Sequence, residues 1–408
     1  NAYVTTTGAQ LANTTMPIVL NNADYRAKAG TFDGSVQFVA RYPGAGGNSL
    51  KVSVCDSANA FSSTLNMVAN SDTRAGFTMP IGSNTLVVTV SSTLSNSSST
   101  NAYASALIAN LAIGDTLLLG NSSIGIQADR INAVSGITFS GANAQFTITF
   151  DDQYRLATPF TASATVNSTV IRHWEYYNAV SSAPTTSAYV AQFGNTAAVD
   201  TLNVVVADEN GYFTGVPGSI LETYVGVSRA TDAKAVSGQN NYWKDVINQS
   251  SKYIWAINDI SGAPSATAAN VASSTSSAAF TGSFNYGTDG MSEGNASALQ
   301  VVTSGYNQFL STEEVDISLV LQGKPVGGTV QAGPYSVQNF QLANWLIDNI
   351  GEVRKDCVVF ITPDDAITTG NPGNEATAIT AWRNQIHDSS YAVLDSGYKY
   401  QYDRYNDV

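Results

Sequence analysis

Apolar and polar positions alternate in short runs along this chain, and the pattern predicts strands more often than helices. Leu50, Val52 and Val54 alternate with Lys51 and Ser53, which predicts a half-buried strand, and the Pro43-Gly44 and Gly46-Gly47 pairs before it mark a turn. Residues 21–29 predict a short helix. Between 56 and 172 the chain is rich in Ser, Thr and Asn, with brief apolar runs between turn signals. Strands are expected there at 85–90, 114–119, 124–131, 137–139 and 145–150, with one helix over 102–111. Closely spaced strands with a single helix predict a small β-barrel or sandwich, here inserted into a host domain.

The host pattern resumes at 173. Runs at 200–206 and 212–216 flank Asp208-Glu209-Asn210-Gly211, and Asn-Gly between apolar runs predicts a hairpin. The same string lacks the ligand spacing of a calcium loop. A further strand is expected at 221–227, a helix at 241–249 and a buried strand at 253–257. From 291 the periods alternate. A helix is expected over 298–310, a strand over 315–321, and a long helix over 336–353 whose buried stripe is Phe340, Trp345, Leu346 and Ile350. A buried strand at 357–361, stopped by Pro363, a helix at 374–386 and a strand at 391–394 follow. Strand-helix-strand units of this kind predict a largely parallel α/β layer with right-handed crossovers. The fold expected is therefore α+β and multi-domain. A mixed domain comes from 1–55 and 173–290, a β-rich surface domain is inserted at 56–172, and an α/β core spans 291–408.

Composition narrows the function. Hydrophobic residues make up 43% of the 408, enough for sizeable cores, while charged residues are only 12%, about half the usual share. Such a polar but weakly charged surface lies against neighbours without burying many charges. The net charge of −13 repels phosphate backbones and argues against direct nucleic-acid binding. No apolar run approaches the roughly 18 residues that span a bilayer, so no membrane insertion is expected. Asn-x-Ser/Thr triplets at Asn96, Asn121 and Asn167 are expected by chance in a chain this rich in those residues. The chain begins at Asn1, which implies processing or trimmed ends.

Candidate chemistry is sparse. Cys55 and Cys357 sit in apolar runs and read as small core residues, with a disulfide left open. His173 and His387 are isolated, so no metal site is expected. There is no Gly-x-Ser-x-Gly elbow, phosphate loop or dinucleotide fingerprint, and neither catalysis nor a cofactor is expected. The Asp151-Asp152 and Asp364-Asp365 pairs are adjacent in sequence, which does not place two carboxylates across a cleft. Asp364-Asp365, after Thr362-Pro363, reads as a turn or helix start. The terminal run Tyr398, Lys399, Tyr400, Tyr402, Asp403, Arg404, Tyr405 and Asp407 is the most unusual feature. Its chemistry leaves open a strand rim, a glycan platform or a subunit interface.

The stretch Gly397-Tyr-Lys-Tyr-Gln-Tyr-Asp-Arg-Tyr-Asn-Asp-Val408 closely resembles a segment of the tail sheath proteins of contractile-tailed bacteriophages. Three further stretches are similar to that family in the expected order: Tyr42 to Val54 with its Pro-Gly-x-x-Gly-Asn turn, Glu314 to Leu321, and Arg354 to Pro363. The resemblance covers about 35–55 and 190–408 and leaves out 56–172, where the composition also breaks. It implies a structural subunit that polymerises with itself around a tail tube, meets baseplate and tail terminator proteins, and contracts to drive the tube through the host envelope. It also implies residence in the virion tail after assembly in the host cytoplasm, and a longer parent with an N-terminal arm and a C-terminal domain. On this reading the terminal run from Tyr398 to Asp407 is an assembly or interdomain segment. The competing readings are a β-rich virion adhesin or glycan-binding module, and a secreted polysaccharide hydrolase, which would need facing carboxylates.

Overall fold

The computed structural model describes all residues other than 6–16, 20, 66–67, 71–72, 93–96, 122, 124, 142, 163–169, 261, 291–297, 314, 333–334, 370–371, 396–403 and 406–408. It divides into two compact units, Asn1–Asp289 and Gly290–Val408. The architecture is mixed α/β with several sheets.

The first unit begins with β1 (Tyr3–Thr5), α1 (Asn22–Lys28), β2 (Val36–Ala40) and β3 (Leu50–Cys55). The side chain of Asn21 caps α1 by accepting from the Asp24 amide, which is why this polar stretch starts a helix there. After the short helix α2 (Ala58–Phe61) come β4 (Ser62–Leu65), β5 (Val68–Asn70), β6 (Thr73–Met79), β7 (Thr85–Ser92), α3 (Ser97–Ile108), β8 (Thr116–Asn121), β9 (Gly125–Val134), β10 (Thr138–Ser140), β11 (Asn143–Phe150), β12 (Phe160–Ala162) and β13 (Val170–His173). The unit closes with α4 (Ala188–Phe193), β14 (Thr201–Asp208), β15 (Ser219–Ser228), α5 (Trp243–Ser250), β16 (Ile254–Ala256) and β17 (Phe280–Ser283).

Among the described residues, β4 to β13 form one ten-stranded sheet with the path β12-β6-β7-β11-β9-β8-β13-β4, with β10 on β11 and β5 on β6. Strict alternation builds it: Ala144, Phe146, Ile148 and Phe150 of β11 all turn inward onto Phe77, Val88, Leu117 and the α3 residues Ala104 and Leu107. No pairing joins β12 to β4 among the described residues, so of the barrel or sandwich expected here a closed barrel is not formed. Two antiparallel sheets complete the unit, β1-β2-β16 and β15-β14-β3-β17. Phe38, Val52, Val54, Val204, Val206, Trp243 and Ile254 share a core drawn from both.

Two expectations are corrected here. The strand at Lys51 and Ser53 is buried throughout rather than half-buried, because β14 and β17 pair with both its edges and Trp174 and Glu175 engage its polar side chains. The Asn210-Gly211 hairpin is absent. Residues 212–216 are turns, and β14 pairs instead with β15 across the longer connection 209–218. The Asp208 carboxylate curls that connection by accepting from the amides of Phe213 and Thr214 and the hydroxyls of Thr214 and Ser49, at 2.6–2.9 Å. That competes successfully with a tight two-residue turn.

The second unit contains α6 (Ala298–Tyr306), β18 (Leu319–Leu321), β19 (Thr329–Ala332), β20 (Tyr335–Gln338), α7 (Gln341–Leu346), α8 (Glu352–Arg354), β21 (Val358–Ile361), α9 (Glu375–Arg383) and β22 (Ala392–Leu394). β18, β21 and β22 pair in parallel in that order. Val320, Val359 and Ile361 share a core with Leu342, Leu346, Ile350, Ala378 and Trp382 of the connecting helical segments. The long helix expected from 336 starts only at Gln341, because 335–338 is the second strand of the β19–β20 hairpin and Asn339 has a φ of 60° that no α-helix continues. The helix then passes through a wider π turn at Ile347–Gly351 before α8. Asp364 accepts from the Ala366 amide at the start of a 3-10 turn, as the sequence suggested.

Candidate functional site

The densest polar construction among the described residues lies within the first unit, where the ten-stranded sheet meets the host sheet β15-β14-β3-β17. It grows from Arg172, Trp174 and Glu175 around the end of β13, with His173 between the first two. Each reaches a different element.

Arg172 is fully buried, and so is its partner Asp115, which is 1% exposed. The guanidinium donates to Asp115 Oδ2 at 2.9 Å, to the carbonyls of Ala60 at 3.1 Å and Ser277 at 3.2 Å, to that of Asn59, and to Ser63 Oγ at 3.2 Å. Asp115 also accepts from the amides of Ala112 and Glu175, at 3.2 Å each. Burial pushes the Asp115 carboxyl above its ordinary value, and the Arg172 charge pulls it back. Every charged oxygen and most guanidinium hydrogens thus have partners, the condition under which a buried pair is tolerated.

Trp174 points into the host core and donates from Nε1 to Ser53 Oγ on β3 at 2.8 Å. Glu175 bridges the two sheets. Lys51 Nζ on β3 donates to its Oε2 at 2.7 Å, and Arg130 Nη2 on β9 donates to its Oε1 at 2.8 Å. Arg130 also reaches Asp151 at 3.1 Å. Gly114 sits against this carboxylate with φ +98°, and a Cβ there would lie 2.6 Å from Glu175 Cδ. Close approach and backbone conformation both call for glycine. His173 stacks on Tyr177 at 3.9 Å, and burial together with Arg172 holds its imidazole below the ordinary value, hence neutral at pH 7.

This arrangement fixes one sheet to another and is not set up to transform a substrate. Each carboxylate in it is neutralised by a cation, and burial pushes the nearby Cys55 thiol up to about 12, far from a nucleophile. Among the described residues no group of three or more His, Cys, Asp or Glu is placed to hold a metal ion, and no helix is long and apolar enough to cross a membrane. Both cysteines are buried and free. Asp151 and Asp152 pair with Arg130 and Arg155, and Asp364 caps a turn.

The terminal residues singled out in the sequence fall largely elsewhere. Tyr398, Lys399, Tyr400, Tyr402, Asp403 and Asp407 lie outside the described residues, and Arg404 and Tyr405 are exposed in a turn. Sequence reasoning missed Arg172 and Asp115 because neither belongs to a motif. Arg172 is a lone cation in an otherwise apolar strand register, Val170-Ile171-Arg172, and that was the one available signal.

Comparison with known proteins gives three similar sequences. The tail sheath protein of Vibrio phage KVP40 is 31% identical over 207 residues, 47% of this chain and 27% of that protein. The tail sheath protein of Salmonella phage ViI is 26% identical over 215 residues, 51% of this chain and 28% of that protein. The tail sheath protein of Enterobacteria phage T4 is 31% identical over 130 residues, 28% of this chain and 19% of that protein. The matches span about a quarter of the length of these relatives or less. No family model matches the chain, and no solved structure matches it significantly. The resemblance read from the sequence is thus borne out, and it supports a structural role as a component of a phage tail.

Proposed function

We propose that this chain is part of the structural subunit of a contractile tail sheath, one that polymerises around a tail tube and contracts to drive the tube through the host envelope for genome delivery. The observation that carries the reading is 31% identity to a tail sheath protein over 207 residues. On this reading the partners are other copies of the subunit, the tail tube, the baseplate and the tail terminator, and the protein resides in the virion after assembly in the host cytoplasm. Contraction needs a rigid body with two packings of different free energy. Rigidity is what the Arg172 contacts to the Asn59, Ala60 and Ser277 carbonyls contribute, together with those of Trp174 and Glu175, by tying the ten-stranded sheet to the host part of the first unit.

Within that body, the ten-stranded sheet is an inserted domain carried on the outer surface. Residues 58–61 go with the host instead, since Ala60 and Phe61 share a core with Trp174, Tyr176, Val205 and Ala279. The terminal run around Tyr400 and Arg404 orients the α/β core in the assembly. The test is negative-stain microscopy of the whole gene product. Tubes of stacked rings are expected, and discrete trimers or fibres would instead establish an adhesin.

A further inference from the structure

The Asn210-Gly211 pair, whose chemistry marks it as a turn, acquires a second character from its place in the connection 209–218. It is the single Asn-Gly in the chain. Asn210 is exposed, and among the described residues its carboxamide nitrogen donates only to the Asn48 carbonyl, at 3.5 Å, the outer limit of a hydrogen bond. The neighbouring backbone amides are all engaged. Those of Glu209, Asn210 and Tyr212 donate to the carbonyl and hydroxyl of Ser49 at 2.6–3.2 Å, and those of Phe213 and Thr214 to Asp208 at 2.8 Å. The Gly211 amide between them makes no hydrogen bond among the described residues. No bulkier residue can stand at 211 to shield that amide. Its φ is +80°, and a Cβ there would lie 2.9 Å from the Pro217 nitrogen. The fold therefore keeps an unshielded amide nitrogen directly after an exposed, loosely held asparagine.

We propose that Asn210 is a site of spontaneous deamidation and isomerisation, a covalent change that ages this connection. The step is an internal acyl transfer. The Gly211 amide nitrogen gives up its proton to base and attacks Asn210 Cγ. The new N–C bond closes a succinimide ring, and the Cγ–Nδ2 bond breaks with release of ammonia. Water then opens the ring at either carbonyl. Opening at Cγ leaves aspartate, and opening at the backbone carbonyl leaves isoaspartate, whose chain runs through the side chain. A water is consumed and an ammonia released, and nothing is oxidised or reduced. Isoaspartate places an extra methylene between the amides of residues 210 and 212. Ser49 Oγ now accepts from both, at 3.2 Å each, and cannot keep both once they are spread apart. Either product also sets a new carboxylate beside Asp208 and Glu209 in a chain already net acidic. The first unit should therefore lose thermal stability as the change accumulates. This chemistry rests on the connection alone and is independent of the sheath reading.

The experiment is ageing of the folded, full chain in mildly alkaline buffer made with heavy-oxygen water. Peptide mapping by mass spectrometry, isoaspartyl methyltransferase labelling and thermal unfolding follow the product. The peptide bearing Asn210 is expected to exchange its amide nitrogen for heavy oxygen ahead of every other asparagine peptide, and faster as pH rises. It should also take the methyltransferase label. Asn210→Gln, whose longer side chain closes a ring far more slowly, should lack that label and hold its thermal midpoint while that of the wild type falls. An Asn210 that stays intact in the folded chain would overturn the proposal, whether or not the urea-unfolded chain reacts, because the native contacts would then protect it. Isoaspartate that accumulates without any fall in the midpoint would overturn its effect on the connection.

Discussion

Replacing Arg172 with methionine tests whether its buried contacts, to Asp115 and to the carbonyls of Asn59, Ala60 and Ser277, stabilise the first unit. Methionine keeps most of the apolar stem and removes the charge. The change leaves Asp115, 1% exposed, without its cation, and takes a donor from the carbonyls of Asn59, Ala60 and Ser277 and from Ser63. Breaking a buried ion pair by removing one partner costs about 3–5 kcal/mol, a large share of the roughly 5–15 kcal/mol that keeps a domain folded. The assay is urea unfolding followed by tryptophan fluorescence, to which the adjacent Trp174 contributes, and by circular dichroism. The variant should unfold at markedly lower urea. A cycle with Asp115→Asn should show a coupling of about 2 kcal/mol or more, since contacting residues do not add. The pH dependence has a definite sign. Asp115 already titrates above its ordinary value through burial, and without Arg172 it rises further. The folded variant then binds a proton that the unfolded chain releases, so the penalty is full at neutral pH and shrinks as pH falls through the folded pKa toward the unfolded one. A variant within about 1 kcal/mol of wild type, or costs that simply add, would refute the reasoning.

Three further outcomes are expected. Asp208→Asn should destabilise the first unit by about 2 kcal/mol, because the carboxylate accepts four hydrogen bonds that curl the 209–218 connection. Burial pushes the Asp208 carboxyl up, but those bonds outweigh it and leave it below its ordinary value, so its contribution is present above the unfolded carboxylate range and lost as pH falls through the folded value. The gap in thermal midpoint between wild type and variant should therefore narrow in acid, and a gap constant down to low pH would contradict this. Excising 62–173 with a short linker should leave the host folded, with β3, β14 and Trp174 still packed; aggregation or loss of cooperative unfolding would show that the ten-stranded sheet is part of the host core. In the whole gene product, Tyr400→Ala should lower the thermal midpoint of the monomer, whereas Arg404→Ala should spare folding and impair tube formation under the microscope; well-formed tubes from the arginine variant would make it a solvated rim.

What the sequence determined by itself was local. The strand at 145–150, the short helix over 21–29 and the turn at Asp364 after Thr362-Pro363 are each decided within a few residues, by side-chain period or by one side chain bonding a nearby amide, and the structure has a strand, a helix and a 3-10 turn there. Even the family resemblance rested on contiguous stretches. The rest was decided by partners distant in the chain. Lys51 and Ser53 looked solvated because alternation reports two faces but not what covers them, and their covers, Glu175 and Trp174, lie more than a hundred positions away. Asn210-Gly211 had the chemistry of a tight turn, yet Ser49 and Asp208 bind the connection from outside it. Arg172 and Asp115 carried no motif because a buried pair is defined by desolvation, which exists only once two sheets have closed over it.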